Sequence, residues 1–295
     1  MKPSIPVAIV GAGNMGGGML SRLCRLGWAV GVYDLDAKAL LHAVSLGGRA
    51  FRSACEAAQQ LTDTGVLMVV VVDAAQTEAV LWGDGGAAQA MKPGQTVMLC
   101  PTLGPATVED QAQRLAQRGI DCIDAPMSGG PLRAQDGSMS LMVACTEPVW
   151  ERHQALLQAL SQQVFRVGTR AGDGARTKLV NNLLAAVNLV GAAEAMALAE
   201  RCGLDPAKTL SVIEASSGQS WIGSDRMRRA LAGDLAPRAH VSLLAKDTAL
   251  AVQAADEVAF DPILGRLARD VFAQALAQGW AGLDDAALLP FMRQR

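Results

Sequence analysis

The 295-residue chain is short of the groups that mark several large protein classes. Its 26 Lys and Arg are outnumbered by 28 Asp and Glu, a formal net charge of −2. That balance lacks the basic footprint of a nucleic-acid binder, and Arg226, Arg228 and Arg229, the one tight basic cluster, read as a solvated helix face. Only three histidines occur, at positions 42, 153 and 240, too dispersed to share a metal. Six cysteines (24, 55, 100, 122, 145 and 202) show no C-x-x-C or zinc-type spacing. No metal site is therefore expected, and the cysteines read as reduced, small apolar side chains in a cytoplasmic protein. There is no nucleophile elbow and no phosphate-binding G-K-S/T. The first strand begins within about five residues, which leaves no room for a leader peptide. Leu179 to Ala193 carries no charge, yet it is too short for a membrane span and holds Asn181, Asn182 and Asn188. A helix buried between domains or subunits is expected there.

What is present is organised around residues 6–34. Pro6 to Val10 is an apolar run without polar alternation, the pattern of a strand buried on both faces. It leads into Gly11-Ala12-Gly13-Asn14-Met15-Gly16, a G-x-G-x-x-G. Met19, Leu20, Leu23 and Leu26 then recur at helical spacing until Gly27, and a second strand, Trp28 to Tyr33, closes on Asp34, 23 positions after Gly11. Strand, glycine turn, helix, strand and terminal acid make a dinucleotide-binding fingerprint. The glycines allow a tight turn and close backbone approach, and the helix N-terminus faces the pyrophosphate. Asp34 would accept hydrogen bonds from the adenosine ribose and repel a 2′-phosphate, favouring NAD over NADP. The alternative for Asp34 is a solvated acid at a strand end.

Asp36 can cap the next helix, and strands are expected near 49–51, over 66–72 as a central parallel strand, and over 96–100 and 120–123. Helices alternate with them. Two further strands, 141–145 and 164–167, flank a helix near 147–160. This pattern predicts an α/β N-terminal Rossmann domain with an open, doubly wound parallel sheet. Ligands of such sheets bind beyond the strand C-termini, where the Gly11 turn, Asp34, the 72–76 turn, Thr102 and the Ser128 loop all fall. Past Gly168–Gly174 no strand is expected. A helix of about 28 residues covers 175–202, and others lie near 206–216, 222–232, 240–256 and 262–278. The domains expected are 1–170 for the nucleotide and 171–295, all-helical, for substrate and oligomerisation.

Lys178 and Asn182 are four apart on the long helix and share one face. A lysine near the start of an uncharged helix is suited to general acid/base chemistry if that face closes on the nucleotide and desolvates the amine. The alternative is a snorkelling side chain. Ser128-Gly129-Gly130 offers a hydroxyl and backbone N–H groups suited to a carboxylate, or is a plain turn. Lys246-Asp247 reads on its own as a surface ion pair on a helix.

Together, Gly11-Ala-Gly-Asn-Met-Gly16, Asp124-Ala-Pro-Met-Ser-Gly-Gly130, Gly172-x-Gly-x-x-x-Lys178-x-x-x-Asn182 and Lys246-Asp247-x-x-Leu250-Ala251 resemble the β-hydroxyacid dehydrogenase family over nearly the whole chain. The resemblance implies that Lys178 is the catalytic acid/base and that Asn182 orients the substrate. It implies that Ser128, Gly129 and Gly130 hold the substrate carboxylate. The cofactor would be held by Gly11, Gly13, Asn14, Met15, Gly16, Tyr33 and Asp34, by Val71, Val72 and Gln76 of the 71–76 turn, and by Thr102 and Lys246 at the nicotinamide end. The activity implied is NAD-dependent oxidation of the 3-hydroxyl of a small hydroxy carboxylate, of the 3-hydroxyisobutyrate or L-threonate type, in a homodimer or homotetramer. The Asp73–Gln76 turn and Ser216–Trp221 look most like the L-threonate branch. The rivals are a reductase of a small semialdehyde or imine, and a catalytically silent NAD-binding module. Pro101-Thr102 departs from the family's usual Ser-Thr, and Leu20 stands where a small residue is usual.

Overall fold

The computed structural model describes residues 5–295; the expectation about a leader falls on residues 1–4, outside the described residues. The chain forms two compact units, residues up to Lys178 and Leu179–Arg295.

In the first unit β1 (Ile5–Val10), β2 (Val30–Tyr33), β3 (Arg49–Ala50), β4 (Leu61–Val69), β5 (Thr96–Leu99) and β6 (Asp121–Asp124) run parallel in the order β3-β2-β1-β4-β5-β6. The chain order reverses between β1 and β4, and the carboxyl ends of those strands form the switch point at which such sheets bind ligands. Val7 and Ile9 of β1 enter the core on one face of the sheet, Ala8 and Val10 the core on the other. Burial on both faces is why the strand shows no polar alternation. β4 is central, as expected, but begins at Leu61 and ends at Val69, so Val70–Val72 belong to the turn beyond it.

The sheet is not parallel throughout. β7 (Met127–Ser128) and β6 both pair antiparallel with β8 (Ser140–Ala144), and β9 (Gln163–Gly168) runs parallel to β8. The connecting helices are α1 (Asn14–Arg25), α2 (Ala37–Ser45), α3 (Ala54–Gln59), α4 (Ala74–Trp82), α5 (Pro105–Ala116), α6 (Gly130–Asp136) and α7 (Glu147–Leu160). Asp36, Ser53 and Asp73 cap α2, α3 and α4 by accepting from backbone N–H groups, each cap being worth about 1 kcal/mol.

α8 (Asp173–Arg201) runs 29 residues, its first six in one unit and the rest in the other. It is long and apolar enough to cross a membrane by composition, but Leu189, Ala193 and Met196 are fully buried in the helical unit's core. That core also holds Phe272 and Phe291, from α12 (Ile263–Ala277) and α13 (Leu288–Arg293). α9 (Pro206–Glu214), α10 (Trp221–Leu231) and α11 (Val241–Glu257) complete the unit. α6 and α13 are shorter than two turns, too brief for a periodic signal, and periodicity does not single them out.

Candidate active site

The glycine turn assigns a different job to each of its three motif glycines. Gly11 sits at φ +98°, and a Cβ there would stand 2.2 Å from the Val70 carbonyl oxygen, so conformation and neighbour both demand glycine. A Cβ on Gly16 would stand 1.9 Å from the Gly11 carbonyl oxygen; its absence lets α1 start directly on the turn. Gly13 has no protein atom within 4 Å of a built Cβ. The fold does not need glycine there, and the open space suits the close approach of a pyrophosphate. Gly13 is also the N-cap of α1, which no side chain caps, so the helix end presents its N–H groups to an anion. The residues present therefore fit a dinucleotide.

Asp34 is held rigidly. Its Oδ2 accepts from the Ala12 N–H at 2.5 Å and its Oδ1 from the Asp36 N–H at 2.8 Å. Two backbone donors fix the carboxylate beside the glycine turn with lone pairs left over, which argues against a freely solvated acid. Tyr33 is half-buried beside it, and its carbonyl accepts from the Gly11 N–H. Asn14, Val72 and Gln76 are exposed at the same end of the sheet, and Met15 and Val71 half-buried. Gln76 has a local task as well. Its N–H donates to Asp73 Oδ1 while its side-chain oxygen accepts from Val72 N–H, a reciprocal arrangement that braces the turn after β4.

Thr102 follows the carboxyl end of β5, Ser128 is the last residue of β7 and Gly129 and Gly130 follow it; all four are half-buried. Gly129 and Gly130 take φ +133° and +77°, a conformation that favours glycine and turns the backbone into α6. That helix lies against α1 at Gly18, where a Cβ would stand 2.9 Å from the Pro131 carbonyl oxygen and 3.0 Å from Ala134 Cβ. The helix that follows the Ser128–Gly130 loop thus rests directly on the helix that follows the glycine turn. The sequence does contain the signal for this, a third consecutive glycine after Gly16 and Gly17, but the fingerprint does not call for it.

Lys178 lies a turn and a half into α8 and is 7% exposed, which argues against a snorkelling side chain. The start of its helix is fastened to β6. Asp124, 1% exposed at the end of that strand, accepts at Oδ2 from the N–H groups of Gly172 (2.9 Å) and Ala175 (3.0 Å). Burial pushes its carboxyl up to about 6 against the opposing pull of those donors. Outside the turn, Arg176 pairs with Glu109 of α5 at 2.5 Å and with Asp173 at 3.3 Å. Neither anchor was evident from spacing, since Asp124 reads only as a letter of a motif.

In the helical unit Asn182, 6% exposed, donates from Nδ2 to Asp247 Oδ2 at 2.6 Å and accepts at Oδ1 from Asn181 at 3.0 Å. The other Asp247 oxygen pairs with the Lys246 ammonium at 2.7 Å. Asp247 is 9% exposed, so the expected surface pair is instead a buried carboxylate that orients the Asn182 amide. The signal for it is the apolar company of Leu244, Ala245 and Ala251 along α11.

Comparison with known proteins agrees with this geometry. Residues 6–168 match the NAD-binding domain of 6-phosphogluconate dehydrogenase, and residues 172–292 the NAD-binding family of NADP-dependent 3-hydroxyisobutyrate dehydrogenase. An L-threonate dehydrogenase of Cupriavidus necator is 36% identical over 96% of this chain and 94% of its own length. The 3-hydroxyisobutyrate dehydrogenase of Pseudomonas aeruginosa is 33% identical over 97% and 98%. A crystal structure of 3-hydroxyisobutyrate dehydrogenase from Salmonella typhimurium superposes with a TM-score of 0.90 at 34% identity, covering 97% of this chain and 99% of that one. A dinucleotide cradle, a glycine-lined loop, a buried lysine at a helix start and whole-length similarity converge: the chain belongs to the β-hydroxyacid dehydrogenase family and is an NAD(P)-dependent oxidoreductase acting on a CH–OH group.

Proposed function

We propose that the enzyme oxidises a short polyhydroxy carboxylate of the L-threonate type, with NAD as acceptor and Lys178 as general acid/base. The observation that carries this reading is Lys178 itself, an amine side chain kept at 7% exposure in the first turns of α8, four positions before the equally buried Asn182. Ser128, Gly129 and Gly130 receive the substrate carboxylate through a hydroxyl and backbone N–H groups. Neutral Lys178 takes the hydroxyl proton as the carbinol carbon becomes a carbonyl, and its ammonium returns that proton in the reverse direction. Asn182, its amide oriented by Asp247, steers the substrate hydroxyl. NAD, when bound, supplies the hydride acceptor. Gly11, Gly13, Asn14, Met15 and Gly16 would hold its pyrophosphate, Tyr33 and Asp34 its adenosine. Val71, Val72, Gln76, Thr102 and Lys246 complete the cofactor contacts in this reading.

The preference for NAD rests on the fixed charge of Asp34, which a 2′-phosphate would meet with Leu35 and Asp36 following and no cation between them. The same reading places the enzyme in the cytoplasm, in keeping with six unpaired cysteines. It makes the enzyme a homodimer or homotetramer, in keeping with exposed Val180 and Leu184 on α8 and Ile263, Leu264 and Leu267 on α12. Absorbance at 340 nm with L-threonate, 3-hydroxyisobutyrate, glycerate and β-hydroxybutyrate tests it. We expect L-threonate to give the highest kcat/KM, at least about tenfold better with NAD than with NADP, about 1.4 kcal/mol of discrimination. Oxidation of none of the four would remove the substrate class, and equal use of NADP would remove the role of Asp34.

A further inference from the structure

Asp124 is the one buried acid of the first unit that the chemistry above leaves without a task. Its carboxylate is met by peptide N–H groups, those of Gly172 and Ala175 in the first turn of α8. The turn is moulded to it. A Cβ on Gly174 would stand 2.8 Å from the Asp124 carboxyl carbon and 2.8 Å from the Met142 carbonyl oxygen, and Gly172 takes φ +96°. The charged groups around the turn are Asp173, which adds to the upward push on Asp124, with Arg170 and Arg176 on the outer side and Glu109 on α5. The buried Cys100 and half-buried Cys122 thiols are pushed up by desolvation and further by Asp124.

Two segments leave this one residue. Forward along the chain, Asp124 is followed within four residues by Ser128 and the glycine loop. Across its hydrogen bonds it holds the turn from which Lys178 follows three residues after Ala175. We propose that Asp124 is a positioning residue that sets the distance and angle between Lys178 and the Ser128–Gly130 loop by clamping the first turn of α8 to the end of β6. The proposal rests on the reading of Lys178 as acid/base.

The test is a double-mutant cycle with Lys178→Ala, Asp124→Ala and the pair, read as kcat for hydroxy-acid oxidation, with NADH affinity measured by fluorescence. Displacing an acid/base by about 1 Å costs on the order of 10²-fold. Asp124→Ala should therefore lose about 10- to 100-fold in kcat while NADH affinity stays within about twofold. Asp124→Asn, which keeps an acceptor for both N–H groups, should recover most of the loss. The double variant should turn over no more slowly than Lys178→Ala, because a residue acting through Lys178 has nothing left to act on. Gly174→Ala pushes the same turn from the opposite side and should lose about tenfold in kcat; it serves where Asp124→Ala does not fold. Full kcat in Asp124→Ala or Gly174→Ala overturns the proposal, as does an additive loss in the double variant or a parallel loss of NADH affinity. Turnover surviving in Lys178→Ala would instead sink the acid/base assignment itself.

Discussion

The two units fix their polar groups by different means. In the nucleotide-binding unit the backbone holds the acids: Asp34 is gripped by the N–H groups of Ala12 and Asp36, and Asp124 by those of Gly172 and Ala175. In the helical unit side chains hold one another between helices, Asn182 to Asp247 to Lys246 and Arg226 to Asp285, while Asp284, outside the helices, is gripped by the N–H groups of Arg238, Ala239 and Ala286 as well as by Arg229. Helices use up their own backbone donors and acceptors internally, so polar groups between them must pair side chain to side chain. Strand ends and turns leave N–H groups over, and a carboxylate placed there is satisfied without a second side chain. The first arrangement is rigid; the second depends on flexible side chains and tolerates graded repair.

Three measurements sharpen or break this contrast. The largest effect belongs to Lys178, on the backbone-anchored turn. Lys178→Ala should lower kcat by about 10²–10⁴-fold, the usual worth of a positioned acid/base, with NAD binding retained in a fluorescence titration. Near-normal turnover would mean that the anchored turn presents nothing catalytic.

The second concerns a buried pair inside the first unit, where, as in Arg176 and Glu109, a side chain holds a side chain. His153, 5% exposed, shares a 2.8 Å hydrogen bond with Thr96, and desolvation lowers its pKa from 6.5 to about 4. The folded state therefore favours neutral imidazole. The resulting stability is complete above pH 6.5 and lost as pH falls from 6.5 toward 4, about 3 kcal/mol in all. Urea unfolding of wild type and His153→Gln at pH 7 and pH 4.5 should show the wild type losing roughly 2–3 kcal/mol more than the variant over that interval. An equal loss in both would remove the linkage.

The smallest effect is expected where repair is available. Asp247→Ala frees the Asn182 amide and should cost about tenfold in kcat, near 1.4 kcal/mol. Asp247→Asn, which keeps an acceptor for it, should cost less than half of that free energy. If both variants were as damaging as Lys178→Ala, the side-chain-held unit would be no more forgiving than the backbone-held one.

The same contrast explains what could be read from the chain. The glycine turn, Asp34, the order of strands and the five helices from α8 to α12 follow from spacing, because each depends on neighbours a few residues away. The Asp36 cap was legible for the same reason. Asp124 to Ala175 and Asn182 to Asp247 were not, since they join residues 51 and 65 positions apart and spacing names no partner at that distance. β4 begins five residues before its apolar run, where the Gln95 side-chain N–H groups satisfy the Leu61 and Thr62 carbonyls, polar support that periodicity does not register. The antiparallel turn of β8 was hidden because a buried strand reads the same in either direction.

Gly18 carries a consequence for how such an enzyme could be retuned. There is no room for even a methyl group between α1 and α6, so in the proposed reading the cofactor-binding and substrate-binding elements cannot diverge separately. A lineage, or an engineer, seeking a bulkier acid by tilting α6 would drag the nucleotide helix along and disturb cofactor binding. Cofactor choice, by contrast, lies in that reading with Asp34 and would be rewritten there without touching the joint. Exchange of cofactor should be the easier step, and exchange of substrate the one that demands compensation.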